Sequence, residues 1–254
     1  METIKLWFGN CLELMTNIED NFVDLIFTSP PYYNAKDYSF WNSYNDYLEF
    51  MRGITRQFYR VLNKDGFFIM NTSPIIISRR KRSEESIRYP IPFDLFSISQ
   101  QEGFKYIDDI IWEKPDGASQ RARNFSQNRR PCAYKPFVVT EYLFVMRKHD
   151  APLIDFAIRK HPKEIIEKSL VKDGYERTNV WKISPARNKE HPAIFPEELS
   201  SKIIEYYSYI GDTVLDPFMG IGTTGISSKK LNRNFIGIEK VKKYFDIALK
   251  TINE

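Results

Sequence analysis

"TVLDPFMGIGTTG", residues 213–225, reads as a strand, a turn and the start of a helix in immediate succession. Gly220, Gly222 and Gly225 satisfy the spacing G-x-G-x-x-G, and Glu239 closes the next apolar run at 235–239. Glycines let a backbone pass close to a ligand, and a helix N-terminus offers N–H groups without intrahelical partners. A carboxylate at the end of the following strand can accept from both hydroxyls of a ribose. The glycine spacing alone also fits a plain tight turn. With strand, turn, helix and acidic strand end in that order, the stretch points to a nucleoside-containing cofactor on an α/β sheet. NAD remains open from this loop. Against it stand the loop's place late in the chain and Asp216-Pro217-Phe218 ahead of the first glycine.

Working outward, short apolar runs alternate with helical periodicity, which is the signature of βαβ units and a mostly parallel sheet. Strands are predicted over 4–8, 23–27, 67–70, 106–112, 137–146, 213–215 and 235–239. Helices are predicted over 44–62, where apolar residues recur at helical spacing, and over 92–101, 196–211, 223–231 and 241–252. Between 147 and 190 charges dominate, and only a helix near 162–170 emerges. No internal repeat or low-complexity tract interrupts the 254 residues, which suffice for one α/β domain with a sizeable core.

The second strand runs into "FTSPPYY", residues 27–33. Adjacent prolines lack N–H donors, and Pro31 forces Pro30 into an extended conformation, so the chain stiffens where it leaves the sheet. Taken alone, Ser29 could cap a turn, Tyr32 could be core, and the prolines could merely end a strand.

Hydrophobic content of 42% and charged content of 28% suit a soluble globular chain. No uncharged apolar run of about 18 residues suggests a membrane span. The opening residues lack the features of a signal peptide, so a cytoplasmic location is expected. Cys11 and Cys132 are too few for a disulfide framework, and His149, His161 and His191 show no zinc-site spacing, so no metal is expected. The formal charge is only +4, yet residues 79–88 carry +3, 114–135 carry +5 and 147–190 carry +4, leaving −8 for the rest. Any one such run could be a solvated loop; three favour a polyanionic partner.

Thr28-Ser29-Pro30-Pro31-Tyr32 together with Asp216-Pro217-Phe218-Met219-Gly220-Ile221-Gly222-Thr223-Thr224 closely resembles the amino-methylating DNA methyltransferases, over nearly the whole chain. "IIWEKP" (110–115) and "TEYLFVMRK" (140–148) resemble that family's later strands, and "HPAIFPEEL" (191–199) its cofactor-covering segment. The tetrapeptide precedes the glycine loop, as in the circularly permuted β-class. The resemblance implies an α/β, circularly permuted Rossmann-like methyltransferase fold: a mostly parallel seven-stranded sheet with helices on both faces, forming a single domain over 1–254. Residues 147–190 would be a small embedded target-recognition segment. The implied cofactor is S-adenosyl-L-methionine, held by Asn10, Cys11, Thr28, His191, Phe195, Asp216, Pro217, Phe218, Gly220, Gly222, Thr223, Thr224, Glu239 and Lys240. Ile221 departs from the small polar residue common in relatives.

The implied reaction moves a methyl group to the exocyclic amine of a base in double-stranded DNA. Such an amine is a poor nucleophile because its lone pair is delocalised into the ring. The Ser29 oxygen and the Pro30 carbonyl are candidate acceptors for its hydrogens, and proline stiffness would fix them before reaction. Tyr32 would stack on a base rotated out of the duplex, with Pro31 completing the catalytic turn. Arg79, Arg80, Lys81, Arg82, Arg121, Arg123, Arg129 and Arg130 are the candidate DNA contacts. Tyr33, Tyr38, Phe40 and Trp41 could wall the base pocket or simply pack. Serine before Pro-Pro-Tyr leans toward N4 of cytosine within the family, with N6 of adenine the alternative. Analogy also suggests a homodimer and a cognate restriction endonuclease. Pro131-Cys132 suggests a cytosine-C5 nucleophile, but the rest of that family's order is missing. Two other classes stand against the reading: an NAD-linked oxidoreductase, which leaves Ser29–Tyr32 and the basic runs unexplained, and a non-catalytic nucleic-acid-binding protein.

Overall fold

The computed structural model describes residues 3–34, 41–77, 79, 81, 83–115, 138–158, 160–171, 173–186 and 195–253. Among these residues ten strands fall into one large sheet and one small ribbon. The strands are β1 (Ile4–Phe8), β2 (Val23–Thr28), β3 (Leu62–Thr72), β4 (Ile75–Ile77), β5 (Ile87–Tyr89), β6 (Phe104–Glu113), β7 (Thr140–Lys148), β8 (Val180–Lys182), β9 (Thr213–Asp216) and β10 (Asn234–Glu239). The large sheet has eight strands in the order β1-β10-β9-β2-β3-β7-β6-β8, and β4 pairs with β5. Only β7 runs antiparallel to its neighbours β3 and β6; every other pairing in the large sheet is parallel.

Helices cover both faces. On one lie α1 (Cys11–Leu14), α2 (Tyr44–Val61) and α3 (Ile91–Gln101), burying Met51, Ile54, Phe58, Leu95 and Ile98 against Phe68, Met70 and Met146. On the other lie α6 (Glu197–Tyr207), α7 (Thr223–Lys230) and α8 (Lys242–Asn253), packing Leu199, Ile203 and Ile252 on Leu25, Phe27 and Val214. Two short helices, α4 (Ile154–Ile158) and α5 (Lys163–Lys168), lie between β7 and β8. The α2 start is fixed by a capping box: Ser43 Oγ accepts from the Asp46 amide, and Asp46 accepts from the Ser43 amide.

The sheet has one strand more than the seven expected. The extra strand, β8, lies in the charge-rich region and buries only its central Trp181, too little to show a period. The β4–β5 ribbon was equally hidden, because a basic turn separates two runs of three residues. Strand β3 starts earlier than position 67. Val23 pairs with Leu62 and Leu25 with Phe67, so 63–66 bulge between them. Gly66 allows the bulge, since a Cβ there would lie 2.6 Å from the Asp24 carbonyl oxygen. Strand β7 extends to Arg147 and Lys148, both buried. Arg147 donates to the Pro152 carbonyl at 2.8 Å and Lys148 to Asn21 Oδ1 at 2.7 Å, which is what makes burying these charges tolerable. The helix expected over 196–211 ends at Tyr207.

Candidate active site

From β9 the sheet continues through β10 and β1 in one direction and through β2 and β3 in the other. The β9/β2 pair is therefore the switch point of the sheet, where a crevice opens outside the strand ends. Both sequence motifs leave the sheet there. Asp216, at the end of β9, is buried and ties them together. Its Oδ1 accepts from Thr28 Oγ1 at 2.7 Å and from the Phe218 amide at 3.1 Å, and its Oδ2 accepts from Thr224 Oγ1 at 2.6 Å. Burial pushes its carboxyl up to about 6, against the pull of these three hydrogen bonds.

Glu239, at the end of β10, is also buried. Its carboxylate accepts from the Gly220 amide at 3.0 Å and the Val241 amide at 2.7 Å, which closes the glycine loop over the strand end. Each oxygen keeps lone-pair capacity for a further donor such as a ribose hydroxyl. Burial holds its carboxyl above the ordinary carboxylate value. Gly222 caps α7 with φ +92°, and a Cβ there would lie 2.8 Å from Ile252 Cδ1, so both backbone and packing demand glycine. No side chain caps the first turn of α7.

The β1 end meets the same corner, because the Gly9 amide donates to the Glu239 carbonyl at 3.0 Å. Asn10 caps α1 through the Leu12 amide at 3.0 Å and is exposed. Cys11 is buried, and its thiol is pushed up to about 12 by desolvation, so it packs as a neutral side chain. Lys240 is exposed and lies close enough to Cys11 to favour its charged form slightly. Ile221 is buried and Pro217 is buried, while Phe218 is partly buried and faces Phe50 at 6.5 Å. Phe195 stacks obliquely on Phe27 at 5.1 Å.

From β2 the chain passes through Ser29, Pro30 (buried), Pro31 and Tyr32. The Tyr32 phenol donates to Glu141 Oε2 at 3.4 Å, and the Ser29 hydroxyl lies within hydrogen-bonding reach of the same phenol. Burial, reinforced by the Glu141 carboxylate, raises the phenol well above its ordinary value, so it stays protonated. Glu141 also accepts from Asn71 Nδ2 at 2.8 Å and pairs with Lys114, whose ammonium sits 4.6 Å from the Trp112 ring. Sequence reasoning missed Asn71, Lys114 and Glu141 as site residues. The available signal was a carboxylate just ahead of the apolar run 142–146. Tyr33 and Trp41 pack into an aromatic cluster, Tyr33 on Tyr89 at 5.0 Å and Trp41 on Tyr47 at 4.9 Å, so their role is structural.

Arg79 and Lys81 lie in the exposed turn of the β4–β5 ribbon, whose root packs Tyr89 against Tyr33 and Tyr44 beside the tetrapeptide. Tyr38, Phe40, Arg80, Arg82, Arg121, Arg123, Arg129, Arg130, Cys132 and His191 lie outside the described residues. Within 147–190, Lys160 pairs with Asp65 and His161 stacks on Tyr209 at 4.0 Å. These contacts set α4 and α5 at the starting ends of β2, β3 and β9, away from the crevice. From β8 the segment runs parallel to β6 and returns toward the crevice end.

A family model described as DNA methylase, of the N6/N4 methyltransferase type, matches residues 23–250. The chain belongs to this DNA methylase family. It is 29% identical to the type II methyltransferase M.BglII of Bacillus subtilis, over 98% of this chain and 69% of that one. It is 30% identical to the type II beta methyltransferase M.BslI of Bacillus sp. (strain NEB-606), over 96% of this chain but 27% of that protein's length. Among solved structures, a putative DNA modification methylase of Thermus thermophilus, complexed with S-adenosyl-L-methionine, superposes with a TM-score of 0.74 and 25% identity, over 98% of this chain and 93% of that one. The PvuII cytosine-N4-specific DNA methyltransferase shares the fold with a TM-score of 0.73 at 20% identity, over 98% and 86%. The permuted methyltransferase fold expected for a family member is thus present, with β8 added at one edge of the sheet. Among the described residues no helix is long and apolar enough to cross a membrane.

Proposed function

We propose that the chain is an S-adenosyl-L-methionine-dependent DNA methyltransferase that modifies the N4 amine of cytosine, with adenine N6 as the competing target. The single observation that carries this reading is the Asp216 carboxylate, which binds Thr28, next to the tetrapeptide, and Thr224 of the glycine loop at 2.7 and 2.6 Å. An NAD-linked oxidoreductase would leave Ser29-Pro30-Pro31-Tyr32 and the basic runs unexplained. The residues present suit the cofactor: Glu239 has acceptor capacity for a ribose, Asn10 and Cys11 would lie on the adenine side, and Phe218, Gly220, Gly222 and Thr223 would hold the methionine part. Once bound, the cofactor supplies an electrophilic sulfonium methyl.

The protein then has to hold an amine beside it. The Ser29 oxygen and the Pro30 carbonyl accept the amine hydrogens and localise its lone pair, and Tyr32 supports the base in a pocket from which water is displaced. The choice of cytosine rests on Ser29 and on family tendency. A hydroxyl and a carboxylate both accept from an amine, so hydrogen bonding alone does not select it. Arg79 and Lys81, on a ribbon rooted beside the tetrapeptide, are the proposed phosphate contacts, and Arg80, Arg82, Arg121, Arg123, Arg129 and Arg130 are proposed with them from their charge alone. The target-recognition role of 147–190 belongs to its later part, from β8 onward. A cognate endonuclease, a homodimer and action in the cytoplasm follow by analogy with type II methyltransferases.

Incubation with duplex DNA and methyl-labelled cofactor, followed by digestion to nucleosides, tests the reading. N4-methylcytosine is the expected product. N6-methyladenine alone would overturn the choice of base, and absence of any labelled nucleoside would overturn the activity.

A further inference from the structure

Glu141 is a carboxylate, 12% exposed in its side chain, near the start of the antiparallel strand β7 and so at the crevice end of the sheet. A buried charge persists where it is paired and hydrogen-bonded, and Glu141 is both: Lys114 neutralises Oε1, and Asn71 Nδ2 donates to Oε2 at 2.8 Å. Asn71 is 2% exposed, and because its amide nitrogen is committed to Glu141, its Oδ1 is left without a partner among the described residues. The three groups come from three different strand ends: Asn71 from β3, Lys114 just after β6 and Glu141 from β7. The remaining contact of Oε2 is the Tyr32 phenol at 3.4 Å. The phenolic oxygen lies on the χ2 axis of the ring, so an acceptor there leaves the plane free to turn but fixes where the far edge of the ring sits, and with it χ1.

We propose that Glu141 is a positioning residue for methyl transfer, held by Lys114 and Asn71 so that its carboxylate anchors the far edge of the Tyr32 ring and thereby its position against the target base. The proposal rests on the functional reading above, in which Tyr32 is the platform for that base. The contact is long in the free protein and shortens when a stacked base presses on the ring, as hydrogen bonds at such sites commonly do. In this reading Glu141 acts only through Tyr32. Its removal therefore slows the transfer step while leaving cofactor binding intact.

The test is a double-mutant cycle of Glu141→Ala and Tyr32→Phe, read as kcat and KM for a DNA substrate, with cofactor affinity by calorimetry. A misaligned platform lowers kcat by a factor on the order of 30, within the range that small misplacements produce. Cofactor affinity is expected to stay within about threefold, because Glu141 lies outside the glycine loop. Tyr32→Phe is expected to lose about as much, and Glu141→Ala added to it to lose less than about threefold more, since the phenol through which Glu141 acts is already gone. Glu141→Gln keeps an acceptor and the side-chain shape, is expected to retain more activity than the alanine variant, and replaces it in the cycle should that variant fail to fold. An active wild type with additive losses, or with a Tyr32→Phe variant at full rate, overturns the proposal and leaves the functional reading standing. A wild type that transfers no methyl to DNA overturns both.

Discussion

Asp216 accepts from Thr28, Thr224 and the Phe218 amide at once, an arrangement that favours its charged form, yet burial lifts its carboxyl to about 6. Stability and activity therefore respond oppositely. Taking up a proton as the pH falls through about 6 relieves the cost of burying the charge, but puts a donor where three donors converge. The rate of methyl transfer at low substrate is expected to fall on the acid side of about pH 6. Asp216→Asn should remove that limb and weaken cofactor binding about tenfold, as expected for losing hydrogen bonds to a charged group. A pH profile of kcat/KM for both proteins, with calorimetry, checks this; an unchanged acid limb in the variant would refute the assignment. Motif residues such as Asp216, Gly222 and Ser29 were legible because their meaning lies in the spacing of immediate neighbours. Glu141 was not, because a single carboxylate ahead of an apolar run is informative only when Tyr32, Asn71 and Lys114 are seen around it.

Helix α7 lies on α8 and β10 through Gly225, where a Cβ would sit 2.5 Å from Ile252 Cδ1 and 2.7 Å from Phe235 Cε1. Helix propensity favours alanine over glycine by about 1 kcal/mol, and overpacking opposes it by about 1–3 kcal/mol. Because Phe235 is a rigid neighbour buried in the sheet, packing is expected to win. Gly225→Ala should lower the thermal midpoint by about 2–6 °C, and Ile252→Val in the same protein should recover part of the loss. A midpoint that rises in the single variant would show that α8 yields instead. The long amphipathic α2 and the buried strands β2, β9 and β10 were readable from periodicity. Strands β4, β5 and β8 were not, being three residues each with little buried surface.

At the opposite end of the sheet from the crevice, Asp24 and Asp212 stand at the starts of β2 and β9. Burial, reinforced by the Asp24 charge, pushes Asp212 up to about 7, while the Tyr209 amide and Arg233 pull it down. The folded chain thus binds a proton that the unfolded chain, with an ordinary value of 3.8, releases. The sign follows: this group's contribution to stability is greatest at low pH and is lost as the pH rises through about 7. Relative to Asp212→Asn, wild type should become less stable between about pH 5 and about pH 8, read as urea midpoints. A constant difference would show that Asp212 is already charged throughout. The sequence by itself determined the two motifs, the alternation of strands and helices and the concentration of positive charge, since each depends on residues adjacent in the chain. Only the tertiary structure decided that Thr28 bonds to Asp216 across 188 residues, that Arg147 and Lys148 are buried members of a strand, and that Glu141 meets Tyr32. The reason is physical: whether a charge can be buried depends on partners that other strands supply, and those partners have no fixed distance along the chain.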